Sequence, residues 1–337
     1  MPLPTVTLVV TQRERFSLTE LSLNSILADY CSYPFQLIYV DGNSPPDIYQ
    51  YLQQQAHKHQ FIQLIRQERY LKSNEARNLA LPMIETTDYI VFIDNDVIVE
   101  QGWLKPLVEC AEQEQAAVVS PLIFQGDPQE KEIHVFGIDL KIEPQKSGKN
   151  SFDQKHLLRG TKLCDLPQKL YRSSVNAVDI HCLLIRYSVM KSIVLDEIFN
   201  NQDNVDLSLQ ITALGEKIFI EPSSVITFPD PQLIAGFEQA DIPFYIFRWS
   251  EKSMHNIISH TQKKWNIAKN DPSEWGRWKW VMKYRQLPIR LATSEGSFYR
   301  KVLRITQIRL CPSQLRTLIE YIVLKLTFPK QGIPAKL

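Results

Sequence analysis

The sequence predicts an α/β fold, with a mostly parallel central sheet flanked by helices and a helical extension at the C-terminus. Three observations predict it. Apolar, strand-like runs alternate with helix-period segments across residues 1–110; these runs are rich in β-branched residues and end at turn residues; and beyond Pro229 the pattern turns helical, with five of the six tryptophans falling within residues 237–325. Alternation of this kind implies right-handed βαβ crossovers, hence a parallel sheet covered on both faces. A chain of 337 residues exceeds the usual single core only modestly. The expected organisation is one α/β domain over residues 1–232 and a basic, Trp-rich extension over 233–337.

Taken in order, TVTLVV at 5–10 is a β-branched strand, and SLTELSLNSIL at 17–27 repeats apolar residues at helical spacing. FQLIYV at 35–40 is a second strand that stops at Asp41-Gly42-Asn43-Ser44-Pro45-Pro46, a turn. DIYQYLQQQ is a helix, FIQLIR at 61–66 a third strand, and Ser73 is placed to cap the helix of NEARNLALPMI. YIVFID at 89–94 and AVVSPLIF at 117–124 are strands, and the polar stretch 125–170 reads as loops with a hairpin. AVDIHCLLIRYSVM, a helix at NVDLSLQITALG and the strand EKIFIEPSSVITF complete the domain. A parallel sheet binds ligands beyond its strand C-termini. The loops there hold Thr11 to Arg15, Asp41 to Ser44 and Asp94 to Asp96.

Composition narrows the class. With 44% hydrophobic and 22% charged residues the chain can bury a core, and global disorder is not expected. Five scattered cysteines without a CxxC pair indicate neither a disulfide framework nor a zinc site. The N-terminus lacks a signal-peptide pattern, and nowhere do about 20 apolar residues run together to span a bilayer. A cytoplasmic setting is expected, with association at the cytosolic face of a membrane as a further reading. The net charge of +1 hides an asymmetry: residues 271–337 carry 13 Lys+Arg against 4 Asp+Glu, so +9 there leaves −8 for the rest.

Asp94-Asn95-Asp96 directly follows the strand YIVFI, which sets two carboxylates on a strand-end turn. Such oxygens suit a divalent cation bridging to a diphosphate, although Asp and Asn are also ordinary turn residues. The surroundings resolve that choice. TLVVTQRER, LIYVDGNS, SNEARNLAL, YIVFIDNDVIVEQGWLKPLVE and DNVDLSLQITALGEKIFIEP, in this order and spacing, resemble the motifs of the family 2 glycosyltransferases over about residues 5–230. The resemblance implies a GT-A fold, a DXD motif and inverting transfer from a nucleotide-activated sugar, with UDP-sugar favoured. It further implies that Asp41 accepts hydrogen bonds from the nucleobase, Thr11 and Arg13 border base and ribose, Arg77 approaches the nucleotide, Asp94 contacts the ribose and Asp96 binds Mg²⁺ or Mn²⁺. Independently of any resemblance, a nucleoside diphosphate leaving group gains negative charge as the glycosidic bond breaks, and a carboxylate-held cation offsets it.

The sequence departs from the family pattern at two points. In Gln202-Asp203-Asn204-Val205-Asp206 the family usually reads Glu-Asp-x-Asp-Leu, so Asn204 stands where the base is most often assigned. Asn takes up no proton at neutral pH, and Asp203 becomes the candidate base. Near the end of EPSSVITF the family's metal-binding His is replaced by Phe228-Pro229-Asp230-Pro231, with Asp230 a substitute ligand or a turn residue. His134, His181 and His255 fall in no HxxxH or HExxH pattern and read as structural.

EWGRWKWVMKYRQLPIR interleaves Trp275, Trp278, Trp280 and Tyr284 with Arg277, Lys279, Lys283 and Arg285. Packing of the Trp face on the catalytic domain is the first reading; a membrane-interface contact and stacking on an acceptor sugar are the others. The expected partners are a nucleoside-diphosphate sugar and a saccharide or lipid-linked acceptor, with peripheral membrane contact through this region and no nucleic acid. Rival readings are a catalytically silent nucleotide-sugar-binding protein, a dinucleotide-dependent oxidoreductase and a nucleotidyltransferase. VVTQRER has no glycine to let a pyrophosphate approach the backbone, which argues against the last two.

Overall fold

The computed structural model describes residues 2–230, 238–269, 272–294, 296–306 and 311–327. The first half alternates as expected: β1 (Val6–Thr11), α1 (Thr19–Ala28), β2 (Gln36–Gly42), α2 (Pro46–Lys58), β3 (Ile62–Gln67), α3 (Ser73–Ala80), β4 (Tyr89–Asp94), β5 (Ile98–Val99) and α4 (Leu104–Glu114). There follow β6 (Val118–Gln125), β7 (Glu132–Val135), β8 (Ile138–Pro144), β9 (Asn150–His156), β10 (Ser173–Val175), β11 (Cys182–Arg186), α5 (Tyr187–Met190), α6 (Asp203–Ala213) and β12 (Ile218–Phe228). The sheet runs β10-β12-β6-β11-β4-β1-β2-β3, with β5 on β12 and β7 on β6. Along that path the β12–β6, β4–β1, β1–β2 and β2–β3 pairings are parallel, and only β10 and β11 run the other way. This is the curled, mostly parallel sheet of a GT-A-like fold.

Every residue of β1 and β4 is buried because both sheet faces are covered. The side chains alternate between two cores. Leu8, Val10, Tyr39, Val91, Ile93 and Cys182 face the core closed by α1, α2 and α4, whereas Val9, Ile38, Val40, Phe92 and Leu183 face the core closed by α3, α5 and α6. Period-2 alternation in wholly apolar strands thus serves both faces at once. Gly42 ends β2 because no side chain fits there: a Cβ would sit 2.9 Å from Gln12 Oε1 and 3.1 Å from the Leu71 backbone.

The polar stretch 125–170 contains the expected hairpin, β8 paired to β9 from Ile138↔His156 to Pro144↔Asn150. Ser73 is the first helical residue of α3, one position inside the cap. The cap at Lys72 closes instead through its backbone N–H, 3.2 Å from Glu75 Oε2. This frees the Ser73 hydroxyl for a long-range partner described below.

The C-terminal region is helical: α7 (Ile242–Arg248), α8 (Glu251–Lys264), α9 (Pro272–Arg285), α10 (Leu287–Ala292), α11 (Phe298–Thr306) and α12 (Ser313–Thr327). Two apolar clusters hold it together, one around Ile242, Ile246, Ile289, Leu303 and Val323, the other around Tyr245, Trp249, Met254, Val281 and Tyr284. Buried Arg285–Glu320 and Arg316–Glu251 pairs bind α12 to the earlier helices. The region also docks on the sheet domain, with Phe244 against Phe16 and Asp241 accepting both the backbone N–H and the hydroxyl of Ser17. The expected boundary at 232/233 lies outside the described residues, as does the side chain of Trp275. Among the described residues no helix is long and apolar enough to cross a membrane.

Candidate active site

The site lies where β1 and β4, neighbours in parallel register, both end. Thr11 sits opposite Asp94, so the segments that follow each strand leave the sheet side by side. Asn95 clips them together: its backbone N–H donates to Thr11 O, its Oδ1 accepts from Arg13 N at 2.8 Å, and its Nδ2 donates to Arg15 O at 2.9 Å. Asn95 is thereby a structural residue, and the two carboxylates flanking it are aimed by the clip.

Asp96 is fully buried. Its Oδ2 accepts from Glu14 N at 3.1 Å, and its Oδ1 has no hydrogen-bond partner. Burial, and then the neighbouring Asp94, pushes this carboxyl up to about 6. Asp94 lies 3.3 Å from Arg13 Nε and 2.9 Å from His181 Nδ1; burial pushes it up to about 7, with Arg13 countering. Glu14, also buried, is pushed up to about 7 by burial, opposed mainly by Arg248. Three crowded carboxyls that resist ionisation, two of them (Asp96 and Glu14) with an unused oxygen, are what a bound divalent cation would relieve, since the cation reverses the local preference for the protonated form. The residues fit the hard cation expected at Asp96.

Arg77 points inward from α3. Its Nη1 donates to Asp203 Oδ2 at 2.6 Å and to Asn74 Oδ1 at 2.9 Å, with the guanidinium 5.4 Å from the Phe92 ring centroid. Burial alone would raise Asp203, but Arg77 and Arg13 outweigh it and hold the carboxyl below its ordinary value. Asp41 is equally enclosed, accepting from Gln12 Nε2, Ser44 Oγ at 2.9 Å and Arg66 Nη1 at 2.5 Å. Arg66 in turn lies over the Tyr49 ring, 4.4 Å from its centroid.

A cavity of about 370 Å³ opens beside these groups, lined from the sheet domain by Arg13, Glu14, His134, Asp179, His181 and Asn204, among others. The helical region supplies Trp249, Arg277, Trp280 and Tyr284 to the same cavity. Trp280 meets Trp249 edge-on at 4.9 Å, and Trp249 stacks on Tyr284 at 4.5 Å. Trp278 instead lies buried under Arg316, 4.7 Å from ring to guanidinium. The C-terminal tryptophans therefore divide between packing and cavity wall.

The structure brings Arg13, Asp94 and Asp96 together at the C-terminal ends of β1 and β4 and links Arg77 to Asp203. Asp41 belongs to a separate polar cluster at the end of β2. Thr11 contributes its backbone carbonyl, and Asp203 is absent from the cavity lining that Asn204 joins. Asp230 is buried at the end of β12, its N–H donating to Phe228 O at 2.8 Å.

Two groups were missed by sequence reasoning. Arg248 of α7 is fully buried, donates to Ser73 Oγ at 3.1 Å, and lies 3.9 Å from Glu14 Oε1. Burial lowers it to about 10. His134, Asp179 and His181 converge in the cavity, all three buried, with one ligand atom of each within 4.8 Å of the others. His181 stacks on Phe228, centroids 4.2 Å apart, so an imidazole lies against the start of the Phe228-Pro229-Asp230 stretch where the family's histidine was expected. Burial lowers His134, and brings His181 and His156 down to about 4. The available signal was the spacing Asp179-x-His181, which sets two ligand-type side chains close together in the chain just before β11.

A GT-A-like sheet with buried carboxylates at its strand ends, beside a polar, aromatic-walled cavity, is the architecture of a glycosyltransferase. Residues 7–176, half of the chain, match the model of Glycosyl transferase family 2, and the chain belongs to that family. Among solved structures of similar fold is a crystal structure of GalNAc-T7 with UDP, GalNAc and Mn²⁺, at 16% identity and a TM-score of 0.53. The similarity covers 86% of this chain and 57% of that one, so the chain spans little more than half of that protein's length. No curated protein matches the chain in sequence.

Proposed function

We propose that the chain transfers a sugar from a nucleoside-diphosphate donor, with UDP favoured, to a saccharide or lipid-linked saccharide, by single displacement with inversion. The observation that carries this reading is the unused, buried Asp96 Oδ1 beside Asp94 and Arg13 at the end of β4. Asp96 would hold Mg²⁺ or Mn²⁺, and the cation supplies charge stabilisation to the departing diphosphate. Arg13 and Asp94 face the ribose, with Thr11 holding their loop through its carbonyl. Asp41 is the base contact: an imide N–H of uracil would take the carboxylate oxygen now given to Gln12. Arg77 adds positive potential behind the phosphates. The aromatic wall of Trp249, Trp280 and Tyr284 suits the flat apolar faces of an acceptor sugar. The neighbouring solved structure, with UDP, GalNAc and Mn²⁺ on a similar fold, supports the donor class.

Asp203 is the base on the sequence reading. A second reading gives that role to Glu14, because Glu14 lines the cavity and its Oε2 is buried without a hydrogen-bond partner, whereas Asp203 is bound to Arg77. The excess of Lys and Arg in residues 271–337 supports peripheral contact of the C-terminal region with a cytosolic membrane carrying a lipid-linked acceptor.

Calorimetric titration of UDP with and without Mn²⁺, repeated on Asp96→Ala, tests the proposal. Metal-dependent binding that the substitution abolishes supports it. Failure of UDP and other nucleoside diphosphates to bind with metal reduces the chain to a silent member of its family.

A further inference from the structure

His134, Asp179 and His181 come from two separate segments of the chain. His134 lies on β7, which pairs with β6; Asp179 and His181 lie in the bend that leads into β11. His134 Nε2 lies 3.6 Å from Asp179 Oδ2, and His181 Nε2 lies 3.9 Å from Asp179 Oδ1. These separations are too long for hydrogen bonds. They are close to the edge of a tetrahedron whose vertices lie about 2.1 Å from a central cation, roughly 3.4 Å.

The far side of each ring fixes the direction of its lone pair. Gln125 Nε2 donates to Glu132 at 2.5 Å, which turns Gln125 Oε1 toward His134 Nδ1, 2.9 Å away. An amide oxygen only accepts, so Nδ1 carries the proton and the Nε2 lone pair faces Asp179. His181 Nδ1 lies 2.9 Å from Asp94 Oδ2, and the tautomer that donates to the ionised carboxylate turns its Nε2 lone pair to Asp179. Two imidazole lone pairs therefore face an anion with no proton between them. Each ring is also anchored by a carbonyl or carboxylate, the outer-shell arrangement that orients metal-bound histidines. His156, with Nε2 at 4.0 Å from Asp179 Oδ2, stands at the rim.

We propose that His134, Asp179 and His181 form a second metal site, which takes a divalent first-row transition ion through two imidazole nitrogens and one carboxylate and leaves open coordination positions facing the cavity. The two nitrogens select against Mg²⁺, which prefers an all-oxygen octahedron. None of the three ligands belongs to the Asp94-Asn95-Asp96 turn, so the proposal stands or falls separately from the sugar-transfer reading. His181 joins the two sites, because its other nitrogen holds Asp94.

The test is a Co²⁺ titration of the metal-free full chain, followed by visible d–d absorption in the presence of excess Mg²⁺. The wild type and Asp96→Ala develop the absorption, Zn²⁺ displaces it, and His134→Ala, His181→Ala and Asp179→Asn each weaken the affinity at least tenfold. Nitrogen couplings from two imidazoles in the pulsed EPR spectrum of the Mn²⁺-loaded wild type give a readout that needs no variant to fold. Absence of nitrogen coupling, or a Co²⁺ signal lost in Asp96→Ala but retained in His134→Ala, overturns the proposal.

Discussion

Arg77 Nη1 lies 2.6 Å from Asp203 Oδ2, and neither side chain meets solvent. The pair ties α3 to the first turn of α6 across the mouth of the sheet, and the Arg77 Nε has no hydrogen-bond partner of its own. Removing one partner strands a buried charge, which costs more than the pair contributes. Arg77→Ala is expected to lower the unfolding free energy by about 3–5 kcal/mol in urea titrations. A loss below about 1 kcal/mol would show that water reaches Asp203 and that the pair is not sealed.

The same pair sets an acid limit. Asp203 is held below its ordinary value in the folded protein, so the unfolded chain binds the extra proton first as pH falls. Its contribution is present above about pH 4 and is lost as pH drops through the folded-state value. Asp203→Asn therefore lowers stability at pH 7 and flattens the decline below about pH 4. Thermal unfolding at stepped pH reads this; an unchanged acid slope in the variant would assign the decline to other carboxylates.

Trp280 tests the division of labour among the tryptophans. It lies edge-on to Trp249 in the cavity wall, whereas Trp278 is buried beneath Arg316. An aromatic contact is worth about 0.5–1.5 kcal/mol beyond its area. Trp280→Ala is expected to raise the KM for a saccharide acceptor by roughly tenfold while leaving UDP affinity unchanged, and Trp278→Ala to reduce thermal stability. Equal losses of UDP affinity in both variants would return Trp280 to a packing role.

The parts of this site legible in sequence are those whose geometry is local. Asp94 and Asp96 announce themselves because an apolar strand ends there, and two residues on one turn need no distant partner to be placed. Arg77 was legible as a candidate site residue only through its motif; its partner Asp203 stands 126 positions away. The triad of His134, Asp179 and His181 was not legible, since each histidine taken singly reads as a core residue. Only the β6–β7 and β4–β11 pairings bring them together. Arg248 was hidden for the same reason: a basic residue in an apolar helix gives no sign that its target is the hydroxyl of Ser73, itself read as a cap.

The identity of the base separates the remaining readings of the chemistry. While Arg77 holds it, Asp203 stays below its ordinary value, which makes it a weak base. Asn204, in the family's position for the base, lines the cavity and donates through Nδ2 to Val178 O at 3.3 Å. Glu14 lines the cavity with one oxygen unpartnered, and its backbone N–H already fixes Asp96, so its side chain is held by the same loop that aims the cation ligand. A general base contributes about 10²–10⁴-fold to rate. Glu14→Gln is therefore expected to reduce kcat by at least about 10²-fold with UDP–Mn²⁺ affinity little changed, whereas Asp203→Asn, at matched folded fraction, reduces kcat by less than about tenfold. Single-turnover transfer measured on both variants decides it: the reverse pattern assigns the proton to Asp203 and requires Arg77 to move when the acceptor binds.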